Sequence, residues 1–137
     1  MNTDDIFGLL DQFSHMTVAT IAGDRPQAAT VGFSFDLSRN EIYFGSGVDT
    51  RKMQNLQKNP SIALVFATPK LGVQIEGQAS IASVDEIERI KATHIARNPF
   101  SAKFAHNPDQ RYVVVRPKWA RLTDYRDGES IHEVKWQ

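Results

Sequence analysis

The sequence predicts a mainly β protein, a small closed or half-closed antiparallel barrel carrying few helices. Two observations lead there. Short runs rich in β-branched and aromatic residues recur at close intervals, and turn sequences such as "GDRP", "LSRN" and "RDGE" separate them. Only three stretches carry helical spacing, so strands must build most of the core.

In chain order, Thr3 to Phe13 reads as a short helix with Ile6, Leu9, Leu10 and Phe13 on one face. "MTVATIA", "QAATVGFSFD" and "EIYFGSG" follow as three strands and read as an antiparallel meander. A helix starts at Thr50 and stops at Asn59-Pro60, with Asp49 or Thr50 as its cap and Met53 and Leu56 on one face. "SIALVFA" is a continuous apolar run, as expected of a fully buried strand. "PKLGVQIEGQASIAS" is a long strand in which Gly72 and Gly77 suggest bends or bulges. "VDEIERIKATHIA" is an amphipathic helix with Ile87 and Ile90, and with His94 at the edge of its apolar face. "NPFSAKFAHNPD" reads as irregular or briefly helical. "QRYVVVRPKWARLTDY" is a strand pair or one long strand bent at Pro117, and a last strand runs from Ile131 to Trp136.

A length of 137 residues fits one domain, taken as residues 1–137, able to bury a core without staples. Lys plus Arg equal Asp plus Glu at 16 each, so no global charge steers the chain to nucleic acid or to an acidic membrane. No cysteine is present, which excludes disulfides, thiolate metal sites and cysteine nucleophiles. The four histidines lack metal-ligand spacing, and no metal site is expected. "MNTDDIFGLL" has acids where a secretory signal needs cations, and no apolar run approaches the ~18 residues of a membrane helix. The expected compartment is the cytoplasm.

One stretch breaks an electrostatic rule. In "GSGVDTRKMQNLQKNP" the first helical turn carries Arg51 and Lys52, although a helix N-terminus is already electropositive and usually attracts acids. Gly45, Ser46 and Gly47 precede it with almost no side-chain bulk, so a ligand can approach the backbone. Free helix N–H groups, the Thr50 hydroxyl and two cations suit a phosphate monoester. The alternative is that both cations simply point into water.

The same stretch, "YFGSGVDTRKMQNLQKNPSIALVF", resembles the FMN-binding split-barrel family typified by pyridoxamine 5'-phosphate oxidase. In that family, small or hydroxyl residues lead into Ser/Thr-Arg-Lys and a helix closed by Asn-Pro. "VQIEG" matches the family's following Val-x-Val-x-Gly strand, and "ARLTDY" matches its closing Arg-Leu-x-Asp. The resemblance covers Phe13 to Tyr125. It implies a six-stranded antiparallel split β-barrel, with FMN bound in a groove between the subunits of a homodimer. By carry-over Arg51 and Lys52 hold the FMN phosphate, and Thr50 donates to it or caps the helix. Gly45 and Ser46 face the flavin, and Ala29, Thr30 and Val31 offer backbone groups to the ring edge. Gln74 reaches the ring or ribityl chain, or is merely an exposed strand residue. Trp119 stacks on the flavin or lines a substrate cavity, or else anchors core or interface, as Trp136 also can.

Departures from the oxidase bear on the substrate. Ala28 and Phe33 stand where the oxidase has an Arg and a Lys. Arg-Leu-His-Asp-Arg becomes Arg121-Leu122-Thr123-Asp124-Tyr125, which removes the basic pair that grips the pyridoxal substrate. The expectation is an FMN-dependent oxidoreductase acting on another small molecule or on a nicotinamide. The roles of Arg121 and Tyr125 stay open, and no general acid or base stands out. Competing classes are a non-catalytic flavin or haem binder or sensor, and a deazaflavin-dependent reductase.

Overall fold

The computed structural model describes residues 1–136. Eight strands are present: β1 (Met16–Ala22), β2 (Arg25–Val31), β3 (Ser34–Asp36), β4 (Glu41–Gly47), β5 (Ser61–Thr68), β6 (Leu71–Ile81), β7 (Gln110–Asp124) and β8 (Ser130–Lys135). Three α-helices, α1 (Thr3–Leu9), α2 (Arg51–Lys58) and α3 (Ile87–Arg97), pack around them. All paired strands are antiparallel, in the order β2-β1-β5-β6-β7-β4-β3, with β8 added beside β7.

The two outermost strands of that order, β2 and β3, are separated in sequence only by Gly32 and Phe33. Three Cα steps span at most about 11 Å, so the two edges of the sheet must lie close together. The sheet is therefore rolled into a barrel that stays open between β2 and β3. The split falls there because Phe33 leaves the sheet for the core, where it is fully buried, and Asn98 Nδ2 donates to its carbonyl at 2.8 Å.

This corrects the expected meander. "QAATVGFSFD" is two strands, and the third strand of the expected trio, β4, pairs with β3 and β7 and not with β2. A meander reads local hairpins correctly but cannot register the long-range β4–β7 pairing. Of the two glycines in β6, Gly77 sits at the bulge: its neighbour Glu76 pairs with Trp119 while Gly77 pairs with Pro117, leaving Lys118 as the extra residue. A Cβ on Gly77 would stand 2.4 Å from the Arg116 carbonyl oxygen, so only glycine fits. Gly72 pairs regularly. β7 is one long strand and Pro117 lies at its irregularity.

The main core fills the barrel with Val18, Phe33, Phe44, Leu64, Phe66, Val73, Ile75, Val113, Val115 and Leu122. The first helix is shorter than expected, giving way to a 3-10 turn at Leu10–Gln12, and Asn2 and Asp5 form its capping box. A second apolar cluster lies beneath α3, where Tyr43, Ile90, Tyr112 and Val114 are buried. Tyr112 and the "VVV" strand are thus covered on both faces. They present no apolar surface, because α3 sits on them.

Candidate functional site

Helix α2 begins where β4 ends, and Thr50 is its N-cap: the hydroxyl accepts from Met53 N at 3.4 Å. The same oxygen lies 2.7 Å from Ser46 Oγ and donates to the Gly47 carbonyl at 3.2 Å. Of the two roles expected for Thr50, capping is the one its contacts fill. Thr50 N and Gln54 N find backbone acceptors, whereas the N–H groups of Arg51 and Lys52 have none among the described residues. This is the ordinary first-turn deficit of a helix, and such free N–H groups suit an anion.

Arg51 and Lys52 frame a cleft of about 640 Å³ together with Asp49, Thr50, Val18, Thr20 and Pro26–Ala29. Neither cation has a carboxylate partner among the described residues. Arg51 is exposed and Lys52 is half-buried, and that burial lowers the pKa of the Lys52 ammonium. A cation set into a cleft with no carboxylate in pairing distance is under-compensated, and a phosphate would restore the balance.

Three polar residues that the sequence did not flag connect this cleft to the sheet. Arg51 Nε donates to Gln27 Oε1 at 3.2 Å. Asn55 Nδ2 donates to that oxygen at 2.9 Å and to Thr20 Oγ1 at 2.9 Å. Asn55 and Thr20 are buried. The available signal was Asn55 itself, a polar residue between Met53 and Leu56 on the buried side of α2.

The other sequence-derived candidates are distributed unevenly. Ala29 lines the cleft, while Thr30 is exposed and Val31 half-buried further along β2. As an outermost strand of the sheet, β2 has one side of its backbone unpaired, which leaves N–H and C=O groups available. Ser46 is buried behind the Thr50 cap and lines neither this cleft nor the next one. Gly45 faces the Gln110 side chain, whose Nε2 would be 2.5 Å from a Cβ there. Its lack of bulk accommodates glutamine from β7.

A second cleft of about 450 Å³ adjoins the first and shares Thr20 and Pro26 with it. Its walls include Ile21, Ile62, Ala63 and Trp119, with Glu76, Gln78 and Lys118 at hand. Gln74 lies outside both clefts, exposed on β6 between Val65 and Arg121. Arg121 pairs with Glu133, and its guanidinium carbon lies 5.6 Å from the Trp119 ring centroid. Tyr125 is exposed just beyond β7. Phe33, aligned with an oxidase lysine, is core and does not reach the cleft, whereas Ala28 lines it.

An antiparallel split barrel with a cationic helix start beside an open edge strand defines a class of small β proteins. The family model for pyridoxamine 5'-phosphate oxidase matches residues 3–124, and the chain belongs to that family. Among solved structures, a heme binding protein from Mycobacterium smegmatis is similar with TM-score 0.85 at 15% identity, over 97% of this chain and 57% of that one. This chain thus spans little more than half of that relative. A putative pyridoxamine 5'-phosphate oxidase from Listeria innocua matches with TM-score 0.71 at 23% identity, over 88% of this chain and 96% of that one. A pyridoxamine 5'-phosphate oxidase-related, FMN binding protein from Nostoc punctiforme matches with TM-score 0.70 at 14% identity, over 98% and 85%. At these identities the likeness concerns the fold. No curated protein matches the sequence.

Proposed function

We propose that the chain binds FMN, with the phosphate at the start of α2, and serves as a flavin-dependent oxidoreductase for a small molecule. The observation that carries the reading is the pair Arg51 and Lys52, unpaired with any carboxylate among the described residues and set beside two helix N–H groups without an acceptor there, in an open cleft. The donor set fits a terminal phosphate: a guanidinium, an ammonium and two backbone N–H groups. The second cleft supplies apolar surface for a ring, with Ile21, Ile62 and Trp119 as its natural neighbours. When bound, the flavin supplies the hydride or electron chemistry, and the protein holds and orients it.

The family of the chain and the FMN-binding relative support this choice of cofactor. The haem-binding relative suggests a second ligand class, but no His, Cys, Met or Tyr lines either cleft to ligate an iron. Pyridoxamine phosphate is not the expected substrate, since Thr123 and Tyr125 replace the basic pair of the oxidase.

We further propose a homodimer with the cofactor site shared between subunits, and a cytoplasmic location. The outer face of β1, β5, β7 and β8 supports the dimer, because Ile21, Val65 and Ile131 are exposed there and Trp119 is only half-buried. Among the described residues, no helix is long and apolar enough to cross a membrane.

The deciding experiment is a titration of the apo-protein with FMN, FAD and riboflavin, followed by flavin fluorescence, with the absorption spectrum of the protein as purified. FMN is expected to bind far more tightly than the other two. Riboflavin binding as tightly as FMN refutes the phosphate anchor, and a haem Soret band or a deazaflavin spectrum replaces the cofactor. A monomer mass by light scattering, with FMN still bound, refutes the shared site.

A further inference from the structure

We infer that Gln27 is a positioning residue for the phosphate clamp, holding Arg51 in its ligand-receiving posture through a hydrogen-bonded chain anchored at Thr20. The inference rests on the reading of α2 as a phosphate site and assigns a role that the site residues alone do not reveal.

The direction of every bond in the chain follows from Arg51. A guanidinium Nε–H can only donate, so the Gln27 atom facing it is the amide oxygen, which accepts at 3.2 Å. Asn55 approaches that same oxygen at 2.9 Å and must therefore present its NH2 group. Its second hydrogen goes to Thr20 Oγ1 at 2.9 Å. Both donors of Asn55 are used, and both lone pairs of Gln27 Oε1 are filled. A flip of either amide would set oxygen against oxygen or N–H against N–H, so the chain has one low-energy arrangement.

Its anchor is rigid. Asn55 and Thr20 are buried, one on the inner face of α2 and the other on β1, so the relay ties helix to sheet. Gln27 stands on β2 opposite Thr20 and carries that rigidity to the cleft. Arg51 is otherwise exposed, and a free arginine samples many rotamers that an anion must freeze. With Nε held, the two terminal nitrogens, which have no partner among the described residues, remain as a fork for phosphate oxygens. Binding then costs less ordering, which is preorganisation of a cation by a neutral amide. A carboxylate at position 27 would hold Arg51 too, but it would neutralise the fork and repel the ligand.

The test is a double-mutant cycle on FMN affinity with riboflavin as the phosphate-free control. Gln27→Met keeps side-chain length and removes the acceptor. It is expected to weaken FMN by about three- to tenfold, the scale of one side chain's ordering. Riboflavin affinity should not move. In the Arg51→Ala background the same substitution should cost nothing further, because there is no guanidinium left to hold. Gln27→Glu, which keeps an acceptor for Asn55 and so guards against a folding defect, should also weaken FMN and leave riboflavin unchanged. The inference is overturned by unchanged FMN affinity in Gln27→Met or Gln27→Glu, by an equal loss for riboflavin, or by a loss that persists in full without Arg51. Unchanged FMN binding in Arg51→Ala alone overturns the phosphate site itself, and this inference with it.

Discussion

Around α3, cations drawn against the barrel meet carboxylates. Arg89 lies 3.8 Å from Asp36 and from Glu41, while Arg116 lies 2.9 Å from Glu41 and 3.1 Å from Glu86. The Tyr43 hydroxyl closes the network, donating to Glu41 at 2.7 Å and accepting from Arg89 at 2.9 Å. Acids also occupy the start of α3, as the helix dipole prefers. Around α2 the pattern is reversed, with Arg51 and Lys52 at the positive end of the dipole and neutral Gln27 as the hydrogen-bond partner of the Arg51 side chain among the described residues. The two helices obey the same electrostatics, so the difference is informative. Where charge is compensated, the fold itself is being held; where it is left uncompensated in a cleft, the proposed ligand would supply the missing charge.

Residues around α3 should therefore govern stability, and the largest effect belongs to His94. It is a buried residue of α3, with Ser34 Oγ 3.0 Å from its Nδ1 and Tyr112 as an aromatic neighbour, and burial pushes its pKa down from 6.5 to about 4. The unfolded chain thus binds a proton that the folded one refuses. The contribution of His94 is complete above pH 6.5 and is lost as pH falls toward about 4, for a total of about 3 kcal/mol. Urea unfolding across that window should show a slope that flattens in His94→Gln. An equal slope in both proteins would remove His94 from the account.

Glu41 comes next. Its carboxylate is buried and serves Arg116 and the Tyr43 hydroxyl at once. Glu41→Ala should cost about 2–3 kcal/mol of stability, discounted from a fully buried pair because Arg116 is half-exposed. FMN affinity, measured under conditions where the variant is folded, should be unchanged. A loss of affinity would mean that the two regions are not independent.

At α2 the prediction inverts, with binding moving and stability holding. Arg51→Ala should weaken FMN by about 1.5–3 kcal/mol, the range for hydrogen bonds to charged groups. Lys52→Ala should cost less, since an ammonium is a point charge and not a planar fork. Isothermal titration resolves both losses, and equal losses in the two variants would contradict the fork argument.

The contrast between the helices also explains what was legible in the sequence. Alternation and turns disclosed nearly every strand, and the misplaced dipole charges disclosed the cleft, because both are local patterns. The β4–β7 pairing was not legible, since it joins segments more than sixty residues apart, and neither was the α3 cover over Tyr112, since no local pattern in either segment marks the other. Gln27 was missed for the same reason, as it meets Asn55 across |i−j| of 28 and nothing near it in sequence marks it. Ser46 was expected at the flavin through the family resemblance, and the fold buries it behind the Thr50 cap.

The smallest expected effect is the sharpest test of the comparison. If Arg51 and Lys52 are uncompensated in the absence of ligand, removing either should relieve repulsion with the helix dipole and raise apo-protein stability by a few tenths of a kcal/mol, up to about 1. For Arg51 the gain is offset in part by the lost contact to Gln27, so Lys52→Ala should show it more clearly. Saturating FMN should reverse the order, making wild type the more stable protein, because ligand binding stabilises only the species that binds tightly. The crossing of the two melting curves on addition of FMN is the expected signature, and raised salt should shrink the apo difference by screening. A Lys52→Ala protein less stable than wild type in both conditions would show that the lysine supports the fold, and that α2 and α3 do not differ in kind.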